Sequence, residues 1–402
     1  MSHRTEPPQR IAQLVLVTPD GGVVGSLPGV PVELPWWQEV ESVVRAIRER
    51  HGIDVIVLRL LQASRKRPHG GDVVYLAEVA EPVAANHWAG RLEPHALRQT
   101  YAEPGGPAAD LDWAISVIRR RGIRPSGAPV QIRSWNLSSI WRIPVHGETL
   151  WLKVVPPFFA HEPRLLTALA GEPVPRLLGH DGGRMLLAEI RGDDLYEATL
   201  PRLLEMVTLL VGIQASWAGR VEELQALGLP DWRGPALAAG IADVVGRRRA
   251  ELSLHDAAVL DRFVNDLPRR FAGIEACGLP DTLVHGDFHP GNFRGTADRL
   301  TLLDWGDSGI GHPMLDQSAF LGRVPPAHRD VVQAHWVRRW QVASPGSDPA
   351  RASQLLAPLA AARQAVVYQR FLDNIEPSEH VYHRHDPADW LHRMLALLLA
   401  EG

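Results

Sequence analysis

The stretch "LVHGDFHPGNFRGTADRLTLLDWGD", Leu283 to Asp307, places polar side chains between short apolar runs that are typical of β-strands. Asp287 and Asn292 stand five positions apart, and Asp304 follows an alternating apolar segment. Phosphoryl transfer from a nucleotide requires a carboxylate that orients the attacking hydroxyl and hard oxygen ligands for magnesium. We expect the short loop to turn Asn292 toward a metal while Asp287 faces the acceptor. The hairpin from Phe293 to Leu303 should return Asp304 to the same place.

The same residues have other interpretations. Taken singly, Asp and Asn are common in turns and helix caps. His285 and His289 also suggest a zinc or two-metal hydrolase, because histidine is a frequent metal ligand. Such a site requires further Asp and His ligands on successive strand ends, and no matching series precedes Asp287. We therefore interpret His285 as a buried residue that orients the loop and His289 as a residue that positions the loop or the substrate.

The segments "LVHGDFHPGN" and "LLDWGDSGIGHPMLD" resemble the aminoglycoside phosphotransferase family, whose members are relatives of choline kinases within the protein-kinase-like fold. The resemblance covers roughly the last three quarters of the chain. It implies that Asp287 is the catalytic aspartate and that Asn292 and Asp304 hold magnesium. It also implies that Asp307 and Asp316 shape the loop after the metal site.

An enzyme of this kind also requires a lysine on the third strand of its small lobe and an acidic partner on the next helix. "ETLWLKVV" supplies Lys153 and "AHEPRLL" supplies Glu162. Of 42 basic residues only Lys66 and Lys153 are lysine, so Lys153 indicates a need for a compact ammonium group on the phosphates of ATP. A surface lysine at a strand edge is the alternative.

Two further segments bear on nucleotide binding. "RSWNLSSIWRI" stands where protein kinases have a glycine-rich loop, yet it contains no glycine. We expect Asn136, Ser138 and Ser139 to offer hydrogen-bond donors to the phosphates. "MLLAEIRG" resembles the hinge between the lobes, where backbone groups of Glu189 and Arg191 would contact the adenine. The resemblance therefore implies ATP and Mg2+ as cofactors.

The hydrophobic pattern divides the chain into three parts. Residues 1–107 contain a hairpin with an Asp20-Gly21-Gly22 turn and an amphipathic helix that ends at Gly52, which predicts a small α+β domain. Residues 108–190 predict a β-rich N-lobe, and residues 191–402 predict a helical C-lobe that carries the catalytic and metal site. The expected fold class is α+β, a protein-kinase-like bilobal fold preceded by this small domain.

The first domain also resembles the Nudix box, Arg-Glu-x-x-Glu-Glu-x-Gly, around "VVRAIRERHGI". Three positions match the motif: Arg45, Glu49 and Gly52. Three positions that carry glutamates in the family hold other residues: Ala46, Arg50 and Trp37. Because those glutamates hold magnesium in Nudix hydrolases, the resemblance implies a Nudix-like scaffold without pyrophosphatase activity. An amphipathic helix in an unrelated α+β domain is an equal alternative.

Bulk composition excludes several classes of partner. The chain has 402 residues, a net charge of -4 and a pI near 6.5, so no basic surface favours nucleic acid or an anionic membrane. The single cysteine, Cys277, suits a reducing compartment. "MSHRTEPPQR" lacks the apolar core of a signal peptide, and "MLALLLA" is shorter than the roughly 20 residues that span a bilayer. We expect a cytoplasmic protein that binds a small polar molecule.

The combined features predict an ATP- and magnesium-dependent small-molecule kinase that transfers the γ-phosphate to a hydroxyl of a small polar acceptor. The alternative is a nucleotide-binding regulatory pseudokinase. Against that alternative stands a complete set of five residues: Lys153, Glu162, Asp287, Asn292 and Asp304. A third class, a metal-dependent hydrolase, would release phosphate without any acceptor.

The acceptor and the oligomeric state are not predicted from the sequence, because acceptor pockets vary within one fold. Acidic side chains near the C-terminal end, Glu376, Glu379 and Asp386, would suit a cationic acceptor. A solvated helix face explains them equally well.

Overall fold

The structure is a computed structural model that describes residues 7–65 and 69–400. Lys66 lies outside the described residues. The chain forms two compact units, each built from three segments. Unit 1 contains residues 1–163, 176–189 and 372–384, and unit 2 contains residues 164–175, 190–371 and 385–402.

The first part of unit 1 is a four-stranded sheet with one helix: β1 (Arg10–Val17), β2 (Val23–Val32), α1 (Glu41–His51), β3 (Ile56–Ala63) and β4 (Gly71–Glu78). The strand order is β2-β1-β4-β3, with β1 parallel to β4 and the other neighbours antiparallel. Helix α1 buries Val43 and Ile47 against this sheet and ends at Gly52, whose φ of 67° is left-handed. The predicted hairpin and amphipathic helix are confirmed.

Unit 1 also contains a second sheet, formed by β5 (Val130–Trp135), β6 (Ser138–Val145), β7 (Glu148–Val154), β8 (Leu177–Asp181) and β9 (Arg184–Ala188). Helix α2 (Gly106–Arg120) precedes this sheet. Helix α3 (Glu162–Ala168) follows β7, and only its start belongs to unit 1. The strand order is β5-β6-β7-β9-β8, and all neighbours are antiparallel. Helix α2 contributes Ala114 and Ile118 to a core shared with Trp141 and Ile143 of β6. The predicted β-rich part is confirmed.

The two sheets of unit 1 are hydrogen-bonded to each other. The side-chain amide of Gln131 accepts from the Val57 N–H at 2.9 Å and donates to the Val57 carbonyl at 2.7 Å. The N–H of Ser134 donates to the carbonyl of Gln38. The predicted boundary between residues 107 and 108 lies inside helix α2, whereas the predicted boundary at 190 lies next to the division between the units.

Unit 2 is mainly helical and contains α4 (Leu200–Ser216), α5 (Val221–Ala226), α6 (Gly234–Arg248), α7 (Leu254–Glu275), α8 (Leu315–Arg323), α9 (Arg329–Ala343), most of α10 (Pro349–Asn374) and α12 (Asp386–Leu399). The short helix α11 (His380–His383), between α10 and α12, belongs to unit 1. Its short strands are β10 (Asp193–Asp194), β11 (Thr282–Val284), β12 (Phe293–Gly295), β13 (Leu300–Leu302) and β14 (Gly309–Gly311). Strands β12 and β13 form the predicted hairpin, and β11 pairs with β14. The expected sequence of a β-rich part followed by a helical part is confirmed. Within the described residues, no helix combines the length and apolarity needed to cross a membrane.

Residues 372–384, which we call the return segment, follow the helices of unit 2 but belong to unit 1. The ring of Tyr382 stacks on Trp37, with centroids 3.7 Å apart. Glu376 and Glu379 are only 6% and 0% exposed, and Asp386 is also buried. The alternative that these carboxylates form a solvated helix face is therefore wrong, because burial removes them from water.

Candidate active site

Residues 285–292, which we call the catalytic loop, join β11 to β12. The side-chain amide of Asn292 donates to the backbone carbonyl of Asp287 at 2.8 Å and to its Oδ2 at 3.2 Å. The residues Pro290–Asn292 form a 3-10 turn that brings the two side chains together. Because the amide nitrogen of Asn292 is used by Asp287, its oxygen is the atom that faces away from that carboxylate. The structure brings Asp287 and Asn292 together, as predicted.

His289 sets the charge state of Asp287. Its Nδ1 accepts from the Gly291 N–H at 3.0 Å, so Nε2 carries the proton, and Nε2 lies 3.5 Å from Oδ2 of Asp287. Burial alone would raise the pKa of Asp287, but the hydrogen bond from His289 opposes this effect and the pKa lies below its usual value. Asp287 is therefore ionised at neutral pH.

His285 supports the loop from the interior. It is 0% exposed, its Nδ1 accepts from the Asp287 N–H at 3.3 Å, and its Nε2 lies 2.8 Å from the carbonyl of Leu303. Burial lowers the pKa of His285, so the ring is neutral and donates from Nε2. Both ring nitrogens thus bind the backbone of this site, which fits loop support better than zinc ligation.

Asp316, at the start of α8, holds the beginning of the catalytic loop. Its Oδ2 accepts from the His285 N–H at 2.9 Å and from Gln214 at 2.9 Å, and its Oδ1 accepts from the Gly286 N–H at 2.8 Å. Burial raises the pKa of Asp316, while His285 and the two backbone donors oppose that rise. Asp316 therefore supports the loop that bears Asp287, in addition to lying after the metal-site segment.

Arg363 of α10 is a supporting residue that the sequence patterns did not reveal. It is 2% exposed and donates to the carbonyls of Gly286 at 3.0 Å and Asp307 at 3.1 Å. Gly286 has φ of 90°, and a Cβ there would lie 2.0 Å from the Asp307 carbonyl oxygen, so the backbones approach as only glycine permits. The guanidinium of Arg363 also lies 4.6 Å from the ring centroid of Trp232. An arginine inside the alanine-rich run "LAAARQAVV" was the available signal.

Asp304 has a backbone conformation that most residues avoid. Its φ of 60° and ψ of 67° are left-handed, and it is the one non-glycine residue with positive φ in the described part of the chain. The N–H of Leu303 donates to the Asn292 carbonyl at 2.8 Å, which ties the segment before Asp304 to the catalytic loop. Conformations of this kind persist where the surrounding structure holds the backbone in place, and they cluster at active sites.

The donor chemistry of this site fits magnesium. Asn292 and Asp304 offer an amide oxygen and an exposed carboxylate, and magnesium in phosphate-binding sites takes one or two carboxylates together with phosphate oxygens. Across the described ranges, no group of three or more His, Cys, Asp and Glu side chains is arranged to hold a metal ion by itself.

In unit 1, Lys153 of β7 and Glu162 at the start of α3 form an ion pair. Lys153 Nζ lies 2.7 Å from Glu162 Oε1, and the two side chains are 15% and 3% exposed. The pairing predicted from "ETLWLKVV" and "AHEPRLL" is thus present. A buried pair of this kind fixes the ammonium group at the surface of the sheet.

The other predicted nucleotide contacts have partners of their own. Ser138 and Ser139 are buried, and their hydroxyls accept from the indole N–H groups of Trp135 and Trp141 at 2.8 and 3.1 Å. Glu189 accepts from Trp151 at 2.7 Å through its side chain, and Arg191 is exposed.

The known proteins that the chain resembles include phosphotransferases and choline kinases. The model of the phosphotransferase enzyme family (APH) matches residues 132–355. A macrolide 2'-phosphotransferase from Brachybacterium faecium is 17% identical, with 68% of this chain and 97% of that chain covered and a TM-score of 0.46. A choline kinase from Streptococcus pneumoniae is 14% identical, with 73% and 99% covered and a TM-score of 0.48.

A choline/ethanolamine kinase family protein from Mesorhizobium loti is 16% identical, with 71% of this chain and 94% of that chain covered and a TM-score of 0.47. At these identities and TM-scores, the likeness assigns no substrate to this chain. No curated protein sequence matches the chain.

Proposed function

The chain belongs to the phosphotransferase enzyme family, and from that premise we propose that it transfers the γ-phosphoryl group of ATP to a hydroxyl of a small polar acceptor. The observation that carries this proposal is Asp287, held ionised by His289 and hydrogen-bonded to Asn292 in one short loop. A carboxylate in this state suits a hydroxyl nucleophile, because it accepts the hydroxyl proton without needing to lose one first.

The reaction follows from these roles. Asp287 accepts a hydrogen bond from the acceptor hydroxyl and takes its proton as the new oxygen–phosphorus bond forms. The bond from the γ-phosphorus to the bridging oxygen breaks in line, and ADP leaves with that electron pair. Magnesium, held by Asn292 and Asp304, would neutralise charge on the phosphates when bound.

We assign the residues that bind the nucleotide by their chemistry. Lys153, oriented by Glu162, would contact phosphate oxygens as a compact cation. The backbone of Glu189 and Arg191 would bind the base. Ser138 and Ser139 would donate hydrogen bonds to the phosphates, since a hydroxyl that accepts from an indole N–H still has its own proton to donate.

Replacing Lys153 with methionine should lower kcat/KM for ATP by about 100-fold, because the phosphates lose their cation. The change should also destabilise the fold by about 3 kcal/mol, because the buried Glu162 carboxylate loses its ammonium partner. Steady-state kinetics and thermal unfolding measure the two effects. Adding Glu162→Gln should restore much of the stability and none of the activity.

Arg119→Met, at an exposed position of α2, is the matched loss of a cation and should change neither quantity. Full activity of Lys153→Met, or recovery of transfer in the double variant, would contradict the assigned role.

The proposed function is tested by incubating the protein with Mg2+ and γ-labelled ATP or GTP in the presence of aminoglycosides, macrolides, sugars and amino alcohols. Transfer of label to one class identifies the acceptor and the preferred nucleotide. Release of inorganic phosphate without acceptor would indicate a hydrolase. Nucleotide binding without transfer to any acceptor would favour the regulatory pseudokinase.

We propose no pyrophosphatase activity for the first domain. Nudix-like hydrolysis would need carboxylates at the positions of Trp37, Ala46 and Arg50. Trp37 is 4% exposed and stacks on Tyr382, so this position serves packing instead of metal binding.

A further inference from the structure

Residues 135–138 form the turn between β5 and β6, which we call the hairpin tip. This turn contains no glycine and is held by polar contacts. The N–H of Asn136 donates to both carboxylate oxygens of Glu379, at 3.1 and 3.2 Å. Its side-chain Oδ1 accepts from the Glu376 N–H at 2.9 Å. The hydroxyl of Tyr101 lies 3.0 Å from the carbonyls of Trp135 and Asn136. The donor, the acceptor and the side chain of Asn136 are therefore all bound.

These contacts come from two distant parts of the chain. Glu376 and Glu379 belong to the return segment, and Asn136 lies 243 positions before Glu379. Tyr101 precedes α2 and is 2% exposed. Arg98 in turn binds Glu376 with its Nε 3.2 Å from each carboxylate oxygen and its Nη2 3.0 Å from one of them. Residues of the first domain and of the return segment thus surround the hairpin tip within unit 1.

Glu379 is the one member of this group that can change charge near neutral pH. Burial raises the pKa of Glu379 to about 7, and its hydrogen bonds to Asn136 oppose the rise. Other ionisable groups act around it. Glu376, in the same segment, adds negative charge near Glu379. The charge of Glu379 helps to raise the pKa values of Tyr75, Tyr101 and Tyr382, which lie on three other elements.

The nearest cations serve other partners in this environment. Arg98 binds Glu376. The charge of Arg98 lowers the pKa of Arg59, and the charge of Glu376 raises it. Arg10 donates to the hydroxyl of Tyr75.

We propose that Glu379 is a positioning residue for the nucleotide: it acts through the Asn136 N–H to fix the hairpin tip against which the phosphates of ATP lie. The inference rests on the proposed kinase function, because it assigns this hairpin the place of a glycine-rich loop. A flexible loop must lose conformational entropy when it closes over phosphates, whereas a tip already fixed by four contacts does not. The first domain thereby gains a role in nucleotide binding through Tyr101 and Arg98.

The charge of Glu379 should strengthen this effect. An ionised carboxylate accepts from a backbone N–H more strongly than a neutral acid does. Nucleotide affinity should therefore rise as pH increases through 7. Stability changes in the opposite sense. Because the folded pKa lies above the unfolded value, the stabilising contribution is complete below about 4.5 and is lost as pH rises toward 7.

Glu379→Gln separates these two effects, because glutamine keeps an acceptor oxygen and cannot ionise. The ratio of the Kd for Mg-ADP of the variant to that of the native protein should be near 1 at pH 6 and rise to roughly fivefold at pH 8. Over the same range the variant should become more heat-stable than the native protein. The nucleotide's own titration cancels in the ratio.

Two further variants keep the inference testable. Tyr101→Phe keeps the ring and removes the hydroxyl, so hydrogen–deuterium exchange of the hairpin tip should speed up about tenfold without nucleotide, and KM for ATP should rise several-fold with kcat unchanged. Glu379→Ala should do the same where it folds. Glu148→Gln, at an exposed position of β7, is the control for loss of a carboxylate in unit 1.

The outcomes distinguish the inference from the proposed function. If the native protein transfers phosphate but the Kd ratio of Glu379→Gln stays constant between pH 6 and 8, the positioning role is wrong. Unchanged exchange at the hairpin tip in Tyr101→Phe would also overturn it. If the native protein neither binds nucleotide nor transfers phosphate, the proposed function fails, whereas the exchange measurement still reports whether the contacts fix the tip.

Discussion

Replacing Asp287 with alanine should lower kcat by about a thousandfold while leaving KM for ATP within a few-fold of its native value. The acceptor hydroxyl loses both the group that orients it and the group that takes its proton, whereas the proposed phosphate contacts are unchanged. Single-turnover transfer from labelled ATP at saturating magnesium measures the chemical step directly. Asp298→Ala, in the exposed turn between β12 and β13, is the matched control and should transfer at the native rate.

The charge state of Asp287 gives a second measurement of the same role. His289 holds the pKa of Asp287 below its usual value, so the acidic limb of the kcat profile should lie at low pH. His289→Ala removes the hydrogen bond that opposes the effect of burial, which should move that limb to higher pH. An Asp287→Ala protein that retains transfer within tenfold of native, or an acidic limb that does not move in His289→Ala, would contradict the mechanism.

Replacing Asp304 with asparagine should lower the transfer rate by about 100-fold or more and raise the magnesium concentration needed for half-maximal rate. Asparagine has nearly the same size as aspartate and tolerates left-handed backbone angles, so the φ of 60° is retained. The change therefore removes one charged ligand without altering the loop. Rates over a magnesium titration, with Asp298→Asn as the control, measure the effect.

Asp304→Gly separates the ligand from the backbone conformation. Glycine adopts the left-handed region without strain, so this variant should fold at least as stably as Asp304→Asn and still transfer poorly. An Asp304→Asn protein with an unchanged magnesium requirement would show that the carboxylate does not bind the metal.

The contacts that position the catalytic loop are largely invisible in sequence patterns. Asp316 and Arg363 bind the backbone around Gly286 from α8 and α10, which follow the loop by many residues. Neither residue has a spacing to Asp287 that a local pattern would reveal. Only a folded chain shows that one buried carboxylate accepts two loop N–H groups while one buried guanidinium donates to two carbonyls.

The first domain illustrates a similar division. Its hairpin and helix follow from turn chemistry and from the 3.6-residue period, and both are confirmed. Its relation to the second sheet depends on the side-chain amide of Gln131, which matches the buried backbone N–H and carbonyl of Val57. No composition shift marks that contact, and the division between residues 107 and 108 stays a prediction.

The sequence by itself determined that Asp287 and Asn292 meet, because only five positions of one short loop separate them. That Asp304 joins them in a magnesium site stays a prediction. The sequence also determined the Lys153–Glu162 pair, since a strand and the next helix bring them close. Only the tertiary structure decided that Glu379 binds the hairpin tip. Its partner lies 243 positions away, and a buried carboxylate finds such a partner through the packing of the whole unit, not through local periodicity.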